Sequence, residues 1–135
     1  MNINDFPLSW RWTESSHAKL PQEILDGLQP LNEELAQKLS SQIPVNFPVG
    51  ATRLDASADN QATTEWLSKL DVKSKLVTIS WKCDTALALP WTTFCKYWDD
   101  FCYPSSDDAD LFLENGQHFL RWNHYEVFEL DLSAI

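Results

Sequence analysis

Between Pro90 and Pro104 the chain repeats a pattern that few folds accommodate: Trp91, Phe94, Cys95, Trp98, Phe101 and Cys102 recur at i, i+3, i+4, i+7, i+10 and i+11. At helical periodicity these side chains share one broad apolar stripe, so the segment is predicted as a helix with that stripe buried. Pro90 suits its first position and Pro104 ends it. The opposite face carries Thr92, Thr93, Lys96, Asp99 and Asp100. Such a helix needs a second layer to lie on. Just upstream, Val77, Ile79 and Trp81 alternate with Thr78, Ser80 and Lys82, the period-2 pattern of a strand rich in β-branched residues.

The tail supplies more strands. Asn115-Gly116 is a strong hairpin signal, because both central residues of a type I′ turn need positive φ. A second two-residue turn at Asn123-His124 completes a three-strand meander. In that register Leu111, Leu113, Leu120, Trp122, Tyr125 and Val127 line one face, and Phe112, Phe119 and Phe128 the other. Arg121 then lies opposite Glu126, and His118 near Glu129. The competing pattern is one long strand from Gln117 to Leu130, disfavoured because Asn accepts left-handed backbone more readily than His.

The first half reads as mostly helical. "LSWRWT" alternates Leu8, Trp10 and Trp12 with Ser9, Arg11 and Thr13, which predicts a short strand. Pro21 starts a short helix over Ile24, Leu25 and Leu28, and Asn32 caps another that runs to Pro44, the two forming a helical hairpin joined at Pro30. Residues 44–58 read as a packed loop in which Val45, Phe47 and Val49 offer an edge strand. Asp59 or Asn60 caps a third helix through Trp66, Leu67 and Leu70. The sum is an α+β fold, with helices packed on a small antiparallel sheet that ends in a C-terminal meander. A chain of 135 residues suits one domain, residues 1–135.

Charge narrows the partners. Twenty acidic against ten basic residues give a net charge of -10, which repels nucleic acid and anionic membranes and leaves a basic protein surface, a cationic ligand or simple solubility as the readings, a basic protein surface being the expected partner. No segment reaches a membrane-spanning length, and "MNINDFPLSW" has neither the basic start nor the apolar run of a signal peptide, so the expected compartment is the cytoplasm. Cys83, Cys95 and Cys102 are odd in number and lack a CxxC, in keeping with reduced thiols.

Several chemistries lack their residues. With only Gly27, Gly50 and Gly116 in the chain, neither a phosphate-cradling loop nor a dinucleotide fingerprint can be built. "DDADLFLE" puts Phe112 where a calcium loop needs an oxygen ligand, and the cysteines and histidines lack zinc spacing, so no metal or other cofactor is expected. No GxSxG surrounds any serine. His17, His118 and His124 each stand alone in polar surroundings.

What remains is an acidic stretch. From Tyr97 through Leu120 there is no Lys or Arg, while Asp99, Asp100, Asp107, Asp108, Asp110 and Glu114 all fall there. Asp99 and Asp100 also sit at a helix C-terminus, where carboxylates are disfavoured by roughly 0.3–1 kcal/mol each. Asp99, Asp100, Tyr103, Asp107, Asp108 and Asp110 are therefore the candidate binding residues, the aspartates being expected as one exposed patch. The plainer alternative is that "PSSDD" only turns the chain through side-chain hydrogen bonds. A small glycosidase-like hydrolase using two of these carboxylates is the other functional reading.

The pattern "WTTFCKYWDDFCYPSSDD", followed by an aromatic meander ending "WNHYEVFEL", resembles small uncharacterised bacterial proteins and is similar in style to immunity proteins that neutralise polymorphic toxins. The resemblance spans roughly the last 60 residues. It implies an α+β fold and, for the immunity group, binding of a toxin without catalysis.

Overall fold

The computed structural model describes residues 2–14, 19–44, 47, 51–113 and 118–131. The aromatic stripe does what its spacing predicts: α5 (Trp91–Phe101) buries Trp91, Phe94, Cys95, Trp98 and Phe101, and Cys102 is buried just beyond its end. The layer beneath is one antiparallel sheet of seven strands, β1 (Gln29–Pro30), β2 (Thr52–Asp55), β3 (Leu76–Lys82), β4 (Thr85–Pro90), β5 (Ala109–Leu113), β6 (His118–Asn123) and β7 (Val127–Asp131). Their spatial order is β1-β4-β3-β5-β6-β7-β2, and the last three in sequence form the C-terminal meander. The fold is α+β.

One face of the sheet carries the main core. Val77, Ile79, Leu87, Leu89, Leu111, Leu113, Leu120, Trp122 and Phe128 meet α5 and α4 (Asn60–Ser68) there. Trp98 packs on Trp122 and Phe128 at 5.8 and 5.7 Å between ring centroids. Buried aromatic rings each remove on the order of 150–250 Å² from water, so this cluster dominates the apolar burial. On the other face, α3 (Glu33–Ser40) lies against β4 and β3, and Phe112 meets Phe119 edge-on at 5.3 Å.

The helix starts follow their caps. Asn32 accepts a hydrogen bond from the Leu35 N–H (2.9 Å) and Asp59 from the Ala62 N–H (3.1 Å), the side-chain caps read from the sequence. The strand predicted at "LSWRWT" is instead α1 (Trp10–Thr13), in which the neighbours Arg11 and Trp12 are both buried. An alternating strand would send them to opposite faces. The helical hairpin at Pro30 is also replaced. α2 (Gln22–Leu25) is a single turn, and residues 29–30 pair with Ala88 and Leu87 as an edge strand, a place where proline's missing N–H costs no ladder bond.

In the meander the second turn has three residues, His124 to Glu126, closed by Asn123 opposite Val127. Glu126 takes the left-handed conformation (φ 67°) that such a loop requires. The turn starts one residue later and is one residue longer, so the partners of β6 shift by three, an odd number that flips every later side chain. Phe128 thus faces the main core, Tyr125 is exposed, and Arg121 sits opposite Glu129 instead of Glu126. Glu129 is accordingly not the partner of His118. The Asn115-Gly116 turn, Val45, Val49 and His17 lie outside the described residues, and the strand found in the 44–58 region is β2.

Candidate functional site

The loop after α5 is built around one buried ion pair. Arg11 donates to both carboxylate oxygens of Asp107 (2.6 and 2.8 Å), and both side chains are buried. Asp107 also accepts the Tyr103 N–H at 2.9 Å, tying the loop to the end of α5. The Tyr103 ring lies 4.0 Å from the guanidinium carbon, and Trp10 covers the same group at 5.5 Å. A cation held between two rings and a two-pronged carboxylate is a packed structural unit. Asp107 is therefore a buried acceptor and not part of an exposed acidic patch.

The remaining candidates separate into two places. Asp99 is exposed on α5 and accepts from the Asn60 side chain (3.0 Å). Asp100 beside it is half-buried, and its carbonyl accepts the Trp12 indole N–H (2.8 Å). Burial first, and the Asp99 charge second, push the Asp100 carboxyl up to about 6. Asp108 is exposed and accepts the His124 backbone N–H (2.9 Å), with the imidazole 3.1 Å away. Ser105, itself at φ 70°, donates its N–H to the His124 carbonyl (2.8 Å), which locks the loop to the last hairpin. Tyr125 follows, exposed, with its ring 5.4 Å from that of His124. Asp99, Asp100 and Tyr103 thus lie at and just beyond the end of α5, and Asp108 meets His124, next to the exposed Tyr125.

Asp110 belongs elsewhere. It lies on the opposite face of the sheet, where Arg121 donates to it through Nε (2.7 Å). Burial raises its carboxyl, and the hydrogen bond and charge of Arg121 oppose that rise. Arg121 also donates to the Pro44 carbonyl (2.6 Å) and stacks 4.4 Å from the Phe47 ring centroid.

Nucleophile chemistry finds no support in the two buried thiols, Cys95 and Cys102. Burial pushes Cys95 up to about 11 and raises Cys102 well above its ordinary value, so both stay protonated. Among the described residues no group of three or more His, Cys, Asp or Glu could hold a metal ion, and no helix is long and apolar enough to cross a membrane. Nothing local marks Trp10 and Tyr125 as surface rings, since both alternate with polar neighbours as core residues do. No family model, curated protein or solved structure matches the chain.

Proposed function

We propose that the chain is a small acidic binding protein that engages a basic protein surface through the face bearing Asp99, Asp100 and Asp108. The observation that carries this reading is the pairing of charge with rings. Among the described residues none of these three carboxylates is paired with Lys or Arg, and Asp108 meets His124, whose ring neighbours the exposed ring of Tyr125, while the Asp100 carbonyl holds the indole of Trp12, two residues from the exposed Trp10. Interfaces favour aromatic anchors, while unpaired carboxylates at their rim steer a cationic partner by accelerating encounter. Immunity-type inhibition of a toxin is the form of this function that the C-terminal resemblance suggests. The net charge of -10 acts in the same direction at longer range.

Capture of partners from the source cell, with mass spectrometry of what binds, supplies the ligand for the test. The Asp99→Asn/Asp108→Asn double variant is expected to slow association and flatten its salt dependence. Tyr125→Ala is expected to speed dissociation. An on-rate and salt response identical to those of the unaltered protein would sink the proposal. A hydrolase reading rests on one observation, the Asp100 carboxyl held up to about 6, a value suited to a proton donor. Turnover of a glycoside that Asp100→Asn abolishes would favour it.

A further inference from the structure

Across β5, β6, β7 and β2 the sheet carries a row of alternating charge on the face away from the main core. Asp110 is paired in register with Arg121, Arg121 with Glu129, and Glu129 with Arg53. The two outer pairings are ion pairs, Arg121 to Asp110 at 2.7 Å and Arg53 to Glu129 at 3.3 Å. The row ends on a cation at the edge strand, where the Arg53 side chain is 70% exposed. Two residues along the same face stands Asp55, also exposed.

The backbone of β2 has a matching polarity. Ala56 donates its N–H to the Glu126 carbonyl (2.8 Å), so by antiparallel alternation Leu54 and Thr52 also turn their polar groups toward β7. Arg53 and Asp55 turn theirs away from the sheet. An edge with outward N–H and C=O groups at two residues is a template for a further strand.

We propose that this edge is the interface of a homodimer, formed by antiparallel pairing of β2 with β2 of a second copy about a two-fold axis at Leu54. In that register Arg53 of each copy stands opposite Asp55 of the other. Those are the residues whose backbone groups point outward, so each pair exchanges both main-chain hydrogen bonds and adds a cross-strand ion pair. The alternating row then continues across the axis, Asp110, Arg121, Glu129 and Arg53 being followed by the second copy's Asp55. Self-complementarity about a two-fold is what an isologous interface demands. A register centred one residue either way would remove the Arg-Asp opposition. The strand is short, and the dimer is accordingly weak and concentration-dependent. The residues that form this edge, Arg53 and Asp55, are not those of the acidic face proposed above to bind a basic partner.

The test is charge exchange on the full chain. Sedimentation velocity over a range of concentrations should show monomer and dimer in exchange. Arg53→Asp leaves an edge with two acids and Asp55→Arg one with two cations, so each variant alone should lose the dimer, its dissociation constant rising by at least about tenfold. Mixing the two variants should restore it as a heterodimer, because each acid again meets a cation. Circular dichroism and thermal unfolding check that both variants fold. Hydrogen exchange gives a second readout that needs no variant. The Arg53 and Asp55 amides should gain protection as concentration rises, whereas those of Thr52 and Leu54 are protected throughout. A chain that stays monomeric with freely exchanging Arg53 and Asp55 amides overturns the proposal. So does a dimer indifferent to the charge swaps, or an edge that pairs only with an extended segment of another protein.

Discussion

Arg11 and Asp107, 96 residues apart, hold each other through two hydrogen bonds of 2.6 and 2.8 Å in a site closed to solvent. The pair joins the N-terminal turn to the loop that follows α5, and so positions the surface on which Asp100, Tyr103 and Asp108 sit. A buried pair of this kind is costly to break, because the surviving charge is left desolvated. Asp107→Ala should therefore destabilise the fold by about 3–5 kcal/mol in urea unfolding. It also strips the Tyr103 N–H of its acceptor. Replacing both partners, Arg11→Met with Asp107→Leu, should recover most of that loss, since two apolar groups leave no charge behind. Asp108→Ala should stay within about 0.5 kcal/mol, being exposed. Equal small losses for Asp107→Ala and Asp108→Ala would show that the pair does not hold the loop.

Trp98 tests the packing of α5 on the sheet. It touches Trp122 and Phe128, and its indole N–H donates to the Thr64 hydroxyl at 3.1 Å. Trp98→Ala should cost about 3–5 kcal/mol through the cavity it leaves. Thr92→Ala, on the exposed side of the same helix, should fall within about 0.5 kcal/mol. Comparable losses for the two variants would mean that the stripe is not the buried face.

Legibility followed the reach of the interaction. The stripe of α5, the alternation of β3 and the caps at Asn32 and Asp59 are written within a few residues, and the structure has all of them. Arg11 was misread because an arginine between two tryptophans has the local signature of a solvent-facing strand position. Its true environment comes from Asp107, on which local periodicity carries no information. The meander register failed for a related reason. The turn at His124 to Glu126 contains no glycine, so the left-handed residue is Glu126, a type that rarely advertises that conformation. A turn placed one residue early and one residue short shifts the register by three, an odd number and therefore enough to move Phe128 to the other face. The acidic stretch was legible as charge and illegible as a site, because Arg11 and Arg121 reach two of its carboxylates from distant segments.

Asp100 links stability to the acidic surface through pH. Its carboxyl is held up to about 6 from an ordinary 3.8, by burial and then by Asp99. Between those two values the native chain holds a proton that the unfolded chain has released, so this group's contribution to stability falls as pH rises through the window. Below the window the contribution is nil, and above it the full penalty of a half-buried charge applies. The last-turn position adds to that penalty through the helix dipole. Asp100→Asn should therefore stabilise the protein at neutral pH by about 1 kcal/mol, less than the shift alone implies because water still screens the group. Near a pH of about 4 the same substitution should have almost no effect. Urea unfolding at the two pH values checks this, with an NMR titration of the Asp100 carboxyl alongside. A gain of equal size at both would assign the effect to the amide's own hydrogen bonds, and a carboxyl titrating at its ordinary value would remove the basis for the prediction. The same titration bears on the proposed binding face, for a cationic partner draws on the ionised form. Its association should strengthen as pH rises through the window, and that dependence should be lost in Asp100→Asn.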